Sequence, residues 1–174
     1  MIEAIVKAAS IPKYVESAEP FATPPQCKHA IIVGGTHLIP LAGLFPQYAL
    51  ETTVIIPTSV AVLDRDVEFE RALEFEDKHP KRCRAVGMAR DLGGFDSDSA
   101  DFLFICTMYP EIRDVFLAQA SRVVRDMGKI VIFTPAEISV THLARFGIAA
   151  PIYYPAEGFY VGTMRQAGSL YRRN

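Results

Sequence analysis

The sequence predicts an α/β fold with a doubly wound, mostly parallel sheet, and three observations lead to it. Short apolar runs rich in β-branched and aromatic residues recur along the chain without polar alternation. Amphipathic stretches lie between several of these runs, the order expected of βαβ units with helices on both faces of the sheet. The last segment instead predicts two strands joined by a tight turn, so we expect a C-terminal antiparallel β-hairpin.

The predicted strands are the apolar runs themselves. Strands that are buried on both faces lack the alternation of half-exposed strands, and these runs lack it too. The runs cover residues 30–33, 53–56, 102–106 and 129–133, with a weaker candidate at 83–87 and the hairpin strands at 150–155 and 158–164.

The clearest predicted helix covers residues 111–125, where apolar side chains recur on one face. Pro110 suits its first turn, and Gly128 is placed to end it before the next strand. Weaker patterns predict helices over residues 1–9, 59–78 and 41–50, the last of which must tolerate Gly43 and Pro46.

The composition limits the classes of protein to which the chain can belong. The chain has 174 residues, of which 50% are hydrophobic and 22% charged, enough for one domain with a sizeable core. We expect an N-terminal helix and irregular lead-in over residues 1–27 and a single α/β domain over 28–174. The formal net charge of −2 gives no general reason to bind nucleic acid, although a local basic patch would change that.

The three cysteines indicate a reducing compartment. They are odd in number and far apart, and none forms a CxxC pair or a zinc-ligand spacing. We therefore expect no metal site and a soluble, cytoplasmic protein. Charges interrupt the apolar N-terminus, which argues against a signal peptide, and no run is long enough to span a bilayer.

Segments in the second half of the chain resemble one known family. Residues 98–109 are similar to its fourth strand with the acidic turn before it, and residues 116–132 to the following helix, a glycine-containing turn and the fifth strand. Residues 143–148 are similar to the end of the helix before the sixth strand. The family is that of class I S-adenosylmethionine-dependent methyltransferases. The resemblance spans residues 29–165 and implies a Rossmann-like fold with S-adenosylmethionine as cofactor.

The resemblance also implies where the cofactor binds. In the family a glycine-rich loop follows the first strand, an acidic residue ends the second strand, and another follows the third. Here Pro57 and Met88 stand at the two acidic positions, and neither can accept the hydrogen bonds that a carboxylate accepts. The implied contacts in this altered motif are Gly34, Gly35, Thr36, Thr58, Asp91 and Thr107.

Several of these residues have a simpler interpretation. The two glycines can serve a tight strand-to-helix turn, Thr58 can cap the next helix, and Asp91 can be a turn residue before Gly93. The catalytic residue is open. Weak candidates are His37 as a general base and Tyr109 and Glu111 as groups that orient a methyl acceptor.

We therefore carry three hypotheses of function. The first is a methyltransferase that acts on a small molecule mainly by positioning the acceptor. The second is an inactive, methyltransferase-like binding or interaction protein, and the third is an NAD(P)-binding Rossmann protein, which lacks its GxGxxG loop here. We expect no nucleic-acid or membrane partner, and the aromatic hairpin could support a homo-oligomer.

Overall fold

The apolar runs of the sequence form the strands of one seven-stranded sheet. The computed structural model describes residues 2–11, 27–34, 47–57, 62–106, 109–134 and 136–166. Within these ranges the elements are α1 Ile2–Ala8, β1 Cys27–Gly34, β2 Ala49–Pro57, α2 Val62–Lys78, β3 Cys83–Ala89, β4 Ala100–Cys106, α3 Pro110–Val123, β5 Val124–Phe133, α4 Val140–Arg145, β6 Ile148–Tyr154 and β7 Phe159–Met164.

The strand order is β3-β2-β1-β4-β5-β7-β6. The five strands from β3 to β5 are parallel, and β7 is antiparallel to both of its neighbours, β5 and β6. The predicted α/β fold with a C-terminal antiparallel hairpin is confirmed. In the hairpin, the ring centroids of Tyr153 and Tyr160 lie 4.5 Å apart, and those of Tyr154 and Phe159 lie 4.9 Å apart. These aromatic pairs stabilise the sheet, and self-association through the hairpin stays a prediction.

Each face of the sheet has its own core, because successive strand residues point to opposite sides. On one face Ile5 of α1 and Phe75 of α2 pack with Ile32 of β1. On the other face Phe116 of α3 and Leu143 of α4 pack in one cluster with the alternate strand residues. The two helix layers explain why the strand runs are apolar throughout.

The crossover from β3 to β4 is a loop, residues 90–99, where a doubly wound fold ordinarily has a helix. Leu92 of this loop is fully buried against the α3 face of the sheet, which contributes about 1.5–3 kcal/mol. The Arg122 guanidinium of α3 donates hydrogen bonds to the carbonyl oxygens of Phe95 (2.6 Å) and Leu92 (2.9 Å). The loop is therefore fixed to the sheet by one apolar side chain and one arginine.

The predicted helix over residues 41–50 is wrong at its end. Residues 41–46 lie outside the described part of the chain, but Ala49 and Leu50 belong to β2. Ala49 is fully buried and pairs with Cys27 of β1, so the parallel ladder holds it extended. Tertiary pairing outweighs the weak local helical pattern here.

Gly128 does not end a helix, contrary to the prediction. The helix α3 ends at Val123, and Gly128 lies in an irregular part of β5 where Met127 has a φ of +67°. A Cβ at Gly128 would lie 2.9 Å from the carbonyl oxygen of Arg125 and 3.0 Å from that of Asp101. Glycine is required because β4 approaches the backbone closely at this point.

The third strand also runs further than predicted. It continues to Ala89, which pairs with Pro57 at the end of β2. Met88 therefore lies within β3, and the first residues beyond the strand are Arg90 and Asp91. In the resembling family an acidic residue follows the third strand. Because β3 ends at Ala89, Asp91 lies nearer to that position than the sequence pattern indicated.

We predict that Gly128→Ala lowers the free energy of unfolding by about 1–3 kcal/mol, because the methyl group would overlap two backbone oxygens. Urea denaturation of the purified chain measures this. Gly94→Ala is the matched control, since a Cβ there would meet no heavy atom within 4 Å. Equal stability of the two variants would contradict the close approach of β4 and β5.

Candidate functional site

The candidate site lies at the carboxyl ends of β1 and β4, where the strand order reverses. The chain moves outward from β1 to β2 and β3 and then returns to β4 on the other side of β1. In open α/β sheets ligands bind in the crevice beyond such a reversal, because the connections leave the two strands in opposite directions. Here Gly34, the last residue of β1, pairs with Cys106, the last residue of β4.

Gly34 is suited to this position by its backbone. It is buried and has a φ of +151°, a conformation that side chains disfavour and glycine adopts readily. The absence of a Cβ is also what the close approach of a ligand to the backbone would require. This is the sequence-predicted contact that the structure places most directly at the strand-order reversal.

Five other predicted contacts lie outside the described residues. They are Gly35, Thr36, His37, Thr58 and Thr107, which follow β1, β2 and β4 in the chain. Their predicted roles, including that of His37 as a general base, stay predictions.

Asp91 lies two residues beyond the carboxyl end of β3 and is partly buried. One carboxylate oxygen, Oδ1, accepts a hydrogen bond of 2.7 Å from the backbone N–H of Gly93. This is the turn role that the sequence allowed for Asp91. The bond uses one of the two oxygens, so the turn and a ligand contact through Oδ2 are compatible.

Asp91 also lines a cavity of about 360 Å³ beneath the crossover loop. His29 and Thr53 line the same cavity. Both side chains lie on the face of the sheet on which α3 packs. His29 Nδ1 donates to the Ser99 carbonyl oxygen (3.0 Å), since a carbonyl can only accept. In the neutral ring, Nε2 (2.9 Å away) then accepts the Thr53 hydroxyl proton. These hydrogen bonds fix His29 and Thr53 in the wall of the cavity that Asp91 also lines.

The N-terminus of α3 borders the site beside β4. Tyr109 precedes the helix and has a side chain that is 57% exposed, and Glu111 is exposed in the first turn. Glu111 stabilises the helix through the positive end of its dipole. Both side chains are accessible to a substrate at this edge of the sheet, as their predicted role of orienting a methyl acceptor requires. That role stays a prediction.

The segment after β5 is held by a buried tyrosine. The Tyr160 hydroxyl donates to the Ile138 carbonyl oxygen (3.1 Å) and accepts from the Ile138 N–H (2.7 Å). Burial raises the pKa of Tyr160, so the phenol stays protonated and continues to donate. The pair fixes the chain between the carboxyl end of β5 and the start of α4.

Comparison with solved structures gives the same architecture. A phosphoethanolamine N-methyltransferase of Haemonchus contortus superposes with a TM-score of 0.58 at 12% identity, over 84% of this chain and 51% of that one. A proposed methyltransferase of Pseudomonas syringae gives 0.54 at 11%, over 94% and 95%. A proposed tRNA methyltransferase of Streptococcus pneumoniae gives 0.55 at 13%, over 95% and 72%.

The chain has the class I methyltransferase fold. No protein-family profile and no curated protein sequence matches it, so the likeness is one of fold. The chain spans about half the length of several of these structures, including the Haemonchus enzyme at 51% and a Bacillus protein at 54%. Those proteins carry parts that this chain does not match.

Sequence reasoning missed one polar cluster on this methyltransferase fold. Asp114 of α3 accepts from Arg113 Nε through Oδ1, and its Oδ2 lies 2.9 Å from His142 Nε2 of α4. The His142 side chain is only 31% exposed and is bonded to the neighbouring helix. A histidine held by a carboxylate can accept a proton through its other ring nitrogen.

Within the ranges that the structure describes, two buried thiols are unreactive and no cluster of metal-binding side chains forms. Burial raises the pKa of the Cys27 and Cys83 thiols to about 12, so neither is a nucleophile near neutral pH. Among the described residues, no three His, Cys, Asp or Glu side chains come together to hold a metal ion. In the same part of the chain, every helix is too short or too polar to cross a bilayer.

We predict that Tyr160→Phe lowers the free energy of unfolding by about 1–3 kcal/mol, because the buried N–H and carbonyl of Ile138 lose their shared partner. Chemical denaturation measures the loss, and hydrogen exchange at the Ile138 amide localises it. Tyr153→Phe is the control, since that ring stacks on Tyr160 without a described hydroxyl bond. An Ile138 amide that exchanges equally slowly in both variants would contradict the account.

Proposed function

We propose that this chain is an S-adenosylmethionine-dependent methyltransferase that acts on a small molecule. The observation that carries the proposal is the position of Gly34, with its positive φ, opposite Cys106 at the strand-order reversal. Several proteins with this fold were crystallised with S-adenosylmethionine or S-adenosylhomocysteine, which supports the choice of cofactor. The Haemonchus enzyme was also crystallised with phosphomonomethylethanolamine, a small acceptor.

The described residues fit two parts of this cofactor. Gly34 allows the close backbone approach that its methionine end needs, and Asp91 keeps one carboxylate oxygen for the adenine amino group. The ribose lacks a carboxylate partner, because Pro57 ends β2. We propose that the Thr58 hydroxyl and the backbone of Gly35 and Thr36 supply the remaining polar contacts.

When bound, S-adenosylmethionine supplies an activated methyl group, and the protein's part is to orient the acceptor and keep water out. Tyr109 and Glu111, exposed at the N-terminus of α3, are the proposed orienting groups. His37, which follows β1 in the chain, is the proposed base. The pair formed by His142 and Asp114 is a second source of proton acceptance, on the helices that follow β4 and β5.

A second candidate function is a binding or interaction protein that has the fold without the reaction. Pro57 favours it, because the proline side chain at the end of β2 has no oxygen that could accept the hydrogen bonds of a ribose. The two candidates differ in one measurable property, the affinity for the cofactor.

We predict that isothermal titration detects binding of S-adenosylhomocysteine and that Asp91→Asn weakens it about tenfold or more. The asparagine keeps an oxygen for the Gly93 N–H and so preserves the turn, but it presents an amide in place of the second carboxylate oxygen. Asp77→Asn is the matched control, because Asp77 is an exposed carboxylate on α2 and does not line the cavity of Asp91.

The outcomes separate the candidates. An absence of heat at millimolar ligand with the folded wild-type chain would exclude the simple methyltransferase and leave the interaction protein. Binding that Asp91→Asn leaves unchanged would keep the cofactor and restrict Asp91 to its turn.

A further inference from the structure

A second cavity opens at the opposite edge of the sheet, among the amino ends of the parallel strands. It measures about 700 Å³ and is lined by the end of the crossover loop, by α3, by the end of α4 and by the end of β7. Three of its lining residues are arginines, Arg122, Arg145 and Arg165, and two are serines, Ser97 and Ser121. We call this set the arginine cleft. It lies apart from Gly34 and Cys106.

The backbone brings two of the arginines together. Gly147 follows α4 with a φ of +79°, and its carbonyl oxygen accepts the Arg165 N–H at 2.8 Å. A Cβ at Gly147 would lie 2.9 Å from the Arg165 carbonyl oxygen, so only glycine permits this approach. The contact joins the ends of α4 and β7 and thereby places Arg145 and Arg165 on the same cleft.

The third arginine is fixed by neutral groups. The Arg122 guanidinium donates to two carbonyl oxygens of the crossover loop and to Gln119 Oε1 (3.2 Å). These acceptors satisfy its hydrogen bonds without cancelling its charge. Arg122 is partly buried, so this charge is screened less by solvent than that of a fully exposed arginine.

The cleft carries an excess of positive charge. Within the described part of the chain, none of its three arginines has a carboxylate within 4.0 Å, whereas Arg113 and Arg125 are paired with aspartates. Asp98 is the one acidic residue among those lining the cleft, and its Oδ1 accepts a hydrogen bond from the Gln166 side-chain amide. The cleft is therefore lined by three arginines and one carboxylate that is already hydrogen-bonded.

We propose that the arginine cleft binds the phosphate group of a small molecule. The Arg145 and Arg165 guanidiniums present planar, paired donors that match phosphate oxygens, and the two serine hydroxyls add single donors. Arg122, whose donors are bonded to the crossover loop and to Gln119, adds its positive charge. The arginines converge on one cavity from three elements instead of following a strip of surface, which suits a compact anion. The cavity is within the size range of small-ligand sites.

Isothermal titration with sodium pyrophosphate at constant ionic strength tests the proposal. We expect binding to the wild-type chain and a loss of about tenfold or more in the double variant Arg145→Gln/Arg165→Gln. Both side chains are exposed, and the Arg165 contact to Gly147 is made by its backbone, so the double variant keeps its fold. Arg71→Gln is the matched control, an exposed arginine on α2.

Three results would overturn the proposal: no binding of pyrophosphate to the wild-type chain, equal binding by the double variant, or equal weakening by Arg71→Gln. A short single-stranded RNA that binds and is not displaced by pyrophosphate would also overturn it, in favour of a nucleic-acid surface. S-adenosylhomocysteine affinity should be the same in the double variant and the wild type, so the two proposals stand or fall separately.

Discussion

The parallel pairing of β1 with both β2 and β4 is the constraint on which the rest of the molecule depends. Because β1 is hydrogen-bonded on both sides, its residues 30–33 are fully buried and its end at Gly34 is fixed beside Cys106. The chain leaves β1 on one side for β2 and β3 and returns on the other side at β4, the arrangement beside which ligands bind in open α/β sheets. Site and core are thus consequences of one arrangement.

The crossover loop between β3 and β4 links the two proposed sites. It begins at the carboxyl edge with Asp91 and ends at the amino edge with Ser97 and Asp98, which line the arginine cleft. Arg122 fixes the middle of this loop and also lines the cleft.

The sequence predicts the strands well because their pattern is local: continuous apolar runs identify doubly buried strands wherever they occur. It predicts the end of α3 poorly, since Val124 joins the sheet through its pairing with Ala100, far away in the chain. The polar contacts are equally hard to predict from the sequence, because they too join residues that are far apart in the chain. Arg122 reaches carbonyls 27 and 30 residues away, and Tyr160 reaches Ile138 across 22 residues, distances at which spacing carries no signal. Gly34 could be predicted because the backbone itself demands glycine there.

We propose that ligands of this fold bind at the carboxyl ends of β1 and β4. Amide chemical shifts of the ¹⁵N-labelled chain, recorded during titration with S-adenosylhomocysteine, locate the binding site. We expect shifts that concentrate at Gly34, Arg90 and Cys106, at the carboxyl ends of β1, β3 and β4, while Cys27 and Ala100 at the amino ends stay unchanged. Shifts that concentrate at the amino ends, or a spectrum that ligand leaves unchanged throughout, would contradict it.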